Sequence, residues 1–317
     1  MRRIAPFLLV AIVFTAACAG SGSSSNGAST PTPATPTPTN SATATPTATP
    51  SDPGAPGPLA VATSSATIPG AHSDSGAADI YVPGGTGPYP VVFLAHGFGR
   101  SKAQHVGNGQ HLASWGFITV VPNLPHATDH AKNGEDLVAF ANWAKTNPPE
   151  LGGSIADTSK IAVAGHSAGG LASTLASQGT SPFSLLVGLD PVDASSLGVT
   201  AAPSVSIATA YVIGEPSSCN ANGNSVDMWN AIAATTKERL RVVNATHCDF
   251  EDPTDGTCTT FCGTWDATRH ATARRYLTAW LLDRLAGHHE FAPWTMGGAQ
   301  MTADANAGVI ADVTHAP

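Results

Sequence analysis

The sequence predicts an α/β fold built on a mostly parallel sheet with helices on both faces. Two observations carry that prediction. From residue 77 onward, short and nearly continuous apolar runs of strand length alternate with segments of helical spacing. Residues 59–317, once a compositionally separate leader is set aside, suit one large α/β domain better than two.

The chain opens with Met1-Arg2-Arg3 and an apolar run over residues 4–17. That is the length of a secretory signal, short for a membrane span. The run ends in "FTAACAG", which resembles a bacterial lipobox, with Cys18 as the residue lipidated after cleavage. Thr15 stands where leucine is commonest, and small residues also suit an ordinary signal peptidase, so simple secretion is the alternative. A buried N-terminal helix is the third reading. Residues 1–18 are therefore read as a signal peptide with a lipobox. Residues 19–58 are almost wholly Ser, Thr, Pro, Ala and Gly. Such a segment lacks the apolar side chains that offset the entropy of ordering it. Its prolines favour extended backbone, as in a semi-rigid spacer.

Within the domain, read as residues 59–290, "AADIYVP" (77–83) is an antiparallel edge strand. "PVVFLAHG" (90–97), "FITVVPN" (117–123), "KIAVAG" (160–165), "FSLLVGLD" (183–190), "TAYVIGE" (209–215) and "LRVVNATH" (240–247) read as strands of the main sheet. "EDLVAFANWAKT" (135–146) has helical spacing with acidic residues in its first turn, "AGGLASTLASQ" follows the 160–165 strand as a helix, and residues 268–287 form a long amphipathic helix closed by Gly287. Residues 291–317 are weakly patterned and read as a C-terminal tail, with Trp294 packing on the domain.

The formal charge is -8, and no Lys/Arg cluster marks a nucleic-acid surface, so no nucleic-acid partner is expected. With Cys18 set aside, Cys219, Cys248, Cys258 and Cys262 remain. An even number in an exported chain predicts two disulfides, in one of three pairings. A zinc site is the rival, weakened by the lack of paired C-x-x-C knuckles.

The chemistry begins at "KIAVAGHSAGGL". Ser167 sits between an apolar strand and a helix, inside Gly165-His166-Ser167-Ala168-Gly169, a G-x-S-x-G. A sharp strand-to-helix turn exposes the central hydroxyl and demands small neighbours, which Gly165, Gly169, Ala168 and Gly170 provide. The plainer reading is a serine N-cap. A serine needs a base. His247 follows the last apolar strand, at the same sheet edge as Ser167, and the chain order serine, acid, histidine fits. His166 lies in the turn itself and is expected to point away; His105, His111, His126 and His130 lie early and at most line a rim. The acid is more open: Asp190 ends "LLVGLD", Glu215 ends "AYVIGE", and Asp193 is close by. Asp190 is the first choice and Glu215 the alternative acid. Oxyanion donors are expected from the amide of Ala168, next to the serine, and from the amide of Phe98 in "HGFG" after the 90–97 strand. The plainer reading of that segment is an ordinary Gly-rich turn.

Together "HGFG", "GHSAGG", "GLDPVD" and "THCDFE", in that order, make residues 80–287 resemble an α/β-hydrolase, most similar to the chlorophyllase-like branch and the related bacterial polyester hydrolases and lipases. "GLDPV" carries the chlorophyllase-like likeness, which implies Asp190 as the triad acid; the commoner superfamily pattern places the acid one strand later, at Glu215. The resemblance implies an α/β-hydrolase fold and hydrolysis of carboxylic esters, small or polymeric, through an acyl-enzyme on Ser167. It implies no metal or organic cofactor, and it does not imply chlorophyll as substrate. Membrane contact is expected only through the N-terminal lipid, and the protein is expected to be a monomer. A Cys219–Cys248 bridge would tie the loops beside Glu215 and His247, leaving Cys258–Cys262 as a local bridge. A thioesterase, amidase or dienelactone-type hydrolase on the same residues is the nearest competing function, and an inactive anchored binding module the other.

Overall fold

A computed structural model describes residues 51–73 and 76–316. The signal, Cys18 and most of the 19–58 spacer lie outside the described residues. Among the described residues nine strands form one sheet, in the order β1-β2-β4-β3-β5-β6-β7-β8-β9. They are β1 (Val61–Ile68), β2 (Gly76–Pro83), β3 (Tyr89–Ala95), β4 (Ile118–Pro122), β5 (Ala156–His166), β6 (Leu185–Leu189), β7 (Ala208–Ile213), β8 (Lys237–Val242) and β9 (Ile310–Ala316). The six strands β3 to β8 run parallel, and β1, β2 and β9 are antiparallel additions at the two edges.

The central strands are apolar throughout because both sheet faces are covered. On β3, Val92 and Leu94 enter one core while Val91, Phe93 and Ala95 enter the other. On β5, Ala162 and Ala164 alternate in the same way with Ile161 and Val163. The first core is closed by α1 (Val106–Ser114) and α7 (Ala267–Leu281), through Leu112, Tyr276, Leu277 and Trp280. The second is closed by α2 (His130–Thr146) and α3 (Ala168–Ala176), through Leu137, Phe140, Leu171 and Ala172. Four shorter helices, α4 (Leu197–Ala201), α5 (Ser225–Ala231), α6 (Gly256–Cys262) and α8 (Ala299–Asn306), are the remaining α-helices among the described residues.

Several boundaries differ from the sequence reading for local reasons. Helix α2 starts at His130 because the Asp129 side chain caps it, accepting from the Lys132 amide at 3.2 Å. Strand β8 starts at Lys237, earlier than expected, because its polar residues Lys237, Arg239 and Arg241 alternate with buried Glu238, Leu240 and Val242. Residues 51–58 are packed rather than free: Asp52 pairs with Arg275 at 2.6 Å, and the Ser114 hydroxyl accepts from the Gly57 amide at 2.8 Å. The segment from residue 291 supplies α8 and β9. It buries Phe291, Trp294, Met301 and Ile310 in the first core, and β9 pairs antiparallel with β8.

Chain order along the sheet reverses at β3, which has β4 on one side and β5 on the other. In open parallel sheets the loops beyond the carboxyl ends diverge at such a point and leave a crevice. The loops after β3 and β5 are "HGFG" and the turn at Ser167.

Candidate active site

Ser167 alone separates β5 from α3. Its backbone sits at φ 56°, ψ −125°, a conformation rare for a residue with a side chain. The turn closes so tightly that a Cβ on Gly165 would lie 2.3 Å from the Gly169 carbonyl, and one on Gly169 would lie 2.4 Å from the His96 carbonyl. The helix start is thereby held against the ends of β3 and β5. The Ser167 amide is anchored to the Leu189 carbonyl at 3.1 Å. Its hydroxyl makes no capping hydrogen bond to α3, so it is left free of the N-cap role.

Asp190 and His247 meet beside this turn. Asp190 follows β6 at φ 42° and is buried. Its Oδ2 accepts from His247 Nδ1 at 2.6 Å. Its Oδ1 accepts from the Gly214 amide at 3.0 Å, and Asn220 Nδ2 donates to both oxygens at 3.2 Å. With Nδ1 donating, the other ring nitrogen of His247 is free to accept a proton. His247 and Ser167 line the same cavity. Glu215, the alternative acid, is directed elsewhere. Its Oε1 accepts from the Asn244 amide at 2.8 Å and from Arg241 Nη1, on the far side of its loop. Asp193, the third carboxylate, caps α4 through the amides of Gly198 and Val199.

The two residues expected to supply oxyanion donors, Phe98 and Ala168, line one cavity. The Ala168 amide belongs to the first turn of α3, where amides have no intrahelical acceptor. Residues 97–100 form a turn in which the Arg100 amide donates to the Gly97 carbonyl at 3.2 Å, and Gly99, at φ 66°, occupies the position that requires a glycine. This turn presses on the serine: a Cβ on Gly97 would stand 3.0 Å from Ser167 Cβ. Phe98 and Ala168 both line a second cavity on the other side of the turn.

His96 fixes the turn. The Leu124 amide donates to His96 Nε2 at 2.9 Å, so Nδ1 carries the ring proton and donates to the Gly97 carbonyl at 2.9 Å. Burial holds its pKa below the usual histidine value, which keeps this tautomer neutral. The Gly97 carbonyl and the Phe98 N–H belong to one planar peptide and point in opposite directions. Holding the first therefore sets the second. Arg100 braces the same turn from the other end, with Nε and Nη2 on the two oxygens of Glu251 at 2.7 Å each and Nη1 on Asp255 at 3.0 Å. Nothing in the sequence singled out Glu251 or Asn220; only their placement four residues after His247 and five after Glu215 hinted at a role.

His166 lies under the site. Its ring is 4.4 Å from that of His247, centroid to centroid, and stacks on Phe250 at 6.2 Å. It is fully buried, and burial, then the neighbouring His247, depress its pKa well below the usual value. His105 is likewise buried, its pKa pushed down to about 3 by burial. Of the early histidines, His126 and His130 line the second cavity, as the sequence allowed for a rim.

Among the described residues the four cysteines are all paired, which leaves no thiolate there for zinc, but the pairing differs from expectation: Cys219 joins Cys262 and Cys248 joins Cys258. The reason is α6. It carries Cys258 and Cys262 one turn apart, and each reaches a different loop, with Cα separations of 5.8 and 5.5 Å. The loops bearing Cys219 and Cys248 are thus joined through the helix rather than directly.

Fold and site geometry together define the class: a mostly parallel sheet with a strand–serine–helix elbow at its switch point is an α/β hydrolase. A family model described as Chlorophyllase matches residues 59–220. The chain belongs to that family. It is 32% identical over 136 residues to a protein named "Chlorophyllase-1, chloroplastic" from Citrus sinensis, covering 40% of each chain. It is 31% identical over 132 residues to "Chlorophyllase-2" of Arabidopsis thaliana, covering 38% of this chain and 41% of that one. It is 31% identical over 142 residues to "Chlorophyllase type 0" of Chenopodium album, covering 40% and 41%. The chain spans about two fifths of the length of these relatives in the matched region. The family match includes Phe98, Ser167 and Asp190 and ends before His247.

Proposed function

We propose that this protein hydrolyses carboxylic esters through an acyl-enzyme on Ser167, with His247 as general base and acid and Asp190 as its orienting carboxylate. Family membership supports ester hydrolysis. The observation that carries the residue roles is the 2.6 Å contact from His247 Nδ1 to Asp190 beside the cavity that Ser167 lines. In the first half-reaction, the Ser167 oxygen attacks the ester carbonyl carbon while its proton passes to His247 Nε2. The Phe98 and Ala168 amides stabilise the oxyanion, each worth about 3–4 kcal/mol where such donors have been removed. The alkoxy oxygen leaves with the proton from His247. Water then repeats the sequence, releasing the acid and restoring Ser167.

Export is part of the proposal. Two disulfides suit an oxidising compartment, and a leader with a lipobox-like end precedes the spacer. The test is labelling by a fluorophosphonate probe, together with turnover of p-nitrophenyl esters, thioesters and anilides. Stoichiometric labelling, lost in Ser167→Ala, with ester turnover dominant is expected. A protein that is folded yet neither labelled nor active on any ester would end the proposal.

A further inference from the structure

A cavity of about 450 Å³ lies beside the strap of chain that leads into β1. It shares no lining residue with the two cavities at the Gly97–Arg100 turn. The strap supplies Pro56 and Leu59, β1 supplies Val61 and Thr63, and α1, α7 and the loop after β8 supply the rest of the wall. Its size falls in the roughly 300–1,000 Å³ range of small-molecule sites. We propose that this cavity is a second binding site, independent of the ester hydrolysis proposed above, and that it takes a neutral sugar of one or two rings.

The wall is built before any ligand arrives. Asp52 accepts from Arg275 Nε and Nη2 at 2.7 and 2.6 Å. His111 Nε2 donates to the Pro53 carbonyl at 2.9 Å, Trp115 Nε1 to the Ala55 carbonyl at 2.8 Å, and the Leu59 amide to the Ser114 carbonyl at 3.1 Å. The strap lies so close to α1 that a Cβ on Gly57 would stand 2.3 Å from that Ser114 carbonyl. A wall fixed in this way loses little freedom when it is covered.

The polar groups of the cavity are only partly used. Arg274 reaches Asp252 through Nη1 on Oδ2, at 3.1 Å. Arg274 Nη2 and Asp252 Oδ1 have no hydrogen-bond partner among the described residues. A hydroxyl, or two on neighbouring carbons, can accept from the first and donate to the second. The paired charges decide against ions, since an anion would meet Asp252 and a cation would meet Arg274. His111 adds an acceptor. Its Nε2 carries the ring proton toward Pro53, so Nδ1 is a lone pair, and it is buried with no partner among the described residues. Burial pushes the His111 pKa down to about 3, so the ring stays neutral and needs a donor such as a hydroxyl.

The remaining walls suit a ring of carbons bearing hydroxyls. Thr63 and Gln110 are exposed at the rim and add a hydroxyl and a carboxamide. Pro56, Leu59 and Val61 offer apolar surface for a C–H face. An amide brings one donor and one acceptor to a single point, whereas a sugar carries hydroxyls all round, each able to do both. The site also touches the loop that bears His247. The Asp252 amide donates to the Gln104 carbonyl and the Asp252 carbonyl accepts from the Gly107 amide, each at 2.8 Å. A sugar held at Asp252 therefore braces that loop from behind and stabilises the folded chain by linkage.

The test is saturation-transfer NMR on the full chain. Cellobiose and maltose are the probes; glucuronate, glucosamine and N-acetylalanine methylamide are the comparators. At least one disaccharide is expected to bind with Kd about 1 mM, about tenfold more tightly than any comparator and equally well to Ser167→Ala. Arg274→Gln and Thr63→Arg should each weaken that binding about tenfold or more. Thr63 is exposed, so Thr63→Arg should leave the melting temperature and ester turnover unchanged, and it carries the test alone if Arg274→Gln fails to fold. Binding of neither disaccharide, binding unmoved by Thr63→Arg, binding lost in Ser167→Ala, or preference for the amide or a charged sugar overturns the assignment. Ester turnover can survive each of those results, and a sugar can bind whether or not any ester is cleaved, so the two proposals fail separately.

Discussion

Replacing Asp190 with asparagine tests the site at its most constrained atom. Asp190 Oδ1 accepts from the Gly214 amide at 3.0 Å and from Asn220 Nδ2 at 3.2 Å. Both are donors, so an asparagine there must place its carbonyl oxygen toward them. Its NH2 then falls where Oδ2 now meets His247 Nδ1, at 2.6 Å. Two donors cannot face each other, so the imidazole must carry its proton on the other nitrogen, the one needed to take the Ser167 proton. The charge that steadies the imidazolium is lost as well. Where this substitution has been made in another serine hydrolase, kcat falls about 10⁴-fold, which corresponds to about 5 kcal/mol of transition-state stabilisation. The assay is steady-state turnover of a p-nitrophenyl ester with a thermal melt alongside, and a melt close to wild type is expected because every hydrogen bond but one is kept. Glu215→Gln is the control. Its carboxylate faces Arg241 and the Asn244 amide, so a loss of no more than about twofold is expected, since exposed pairs contribute little. A loss under tenfold for Asp190→Asn, or a larger loss for Glu215→Gln, would refute the reasoning.

Gly97→Ala places a methyl 3.0 Å from Ser167 Cβ and should push the Phe98 amide off the oxyanion, lowering kcat about 10²-fold with little change in melting temperature; a loss below threefold would detach this turn from catalysis. Stability should fall with acid. His105 and His111 have pKa values pushed down to about 3 by burial, and an unfolded imidazole titrates near 6.5, so their contribution is full above that pH and drains away as pH falls toward 3. Each loses about 2 kcal/mol of that contribution by pH 5, and urea midpoints should drop between pH 7 and pH 5, less steeply in His105→Gln; equal midpoints would count against neutral burial. Peptide mapping without reduction should recover the 219–262 and 248–258 bridges. The first closes the longer loop, a separation of 43 against 10, so Cys262→Ala should cost about 4 kcal/mol and Cys258→Ala about 3 kcal/mol in the chain-entropy picture; the reverse order in urea melts would show that loop closure is not what sets their contribution.

The parts of the fold that the sequence revealed are those where burial leaves a periodic mark. β3 and β6 are apolar at nearly every position because both faces are covered, and the Ser167 turn needs small residues that no other structure would group in that way. The edges leave a fainter mark. β9 buries only Ile310 fully, and its remaining residues are partly or wholly exposed, so it reads as polar coil although it pairs with β8 along most of its length. Asp190 and Glu215 were hard to separate because each ends a strand in the same way. What distinguishes them is the partner each faces across the loop, and those partners, Asn220 and Arg241, are not implied by strand pattern. The disulfide pairing was hidden for a similar reason, since it depends on which loop each turn of α6 meets. The position of His247 was legible because it follows a strand, whereas the bracing of the turn by His96 and Arg100 appears only when Leu124 and Glu251 are brought beside them.

Two carboxylates are buried around His247, and the structure separates what they can do. Glu251 is almost fully buried and lines the cavity with His247, but Arg100 meets both of its oxygens and cancels its charge locally. Removing Arg100 would leave an uncompensated buried charge, a change that typically costs 3–5 kcal/mol, so this pair serves to hold the turn to the base loop. Asp190 has no cation among its hydrogen-bond partners. Its donors are a backbone amide, a side-chain amide and the imidazole itself. Its charge is therefore free to stabilise a positive imidazole when one forms. The neutral ring of His166, 4.4 Å away, adds no competing charge, because burial keeps it unprotonated. In the mechanism proposed above, one uncancelled carboxylate beside the His247 ring, with a neutral ring beneath, would leave a proton taken from Ser167 a single favourable place to stay.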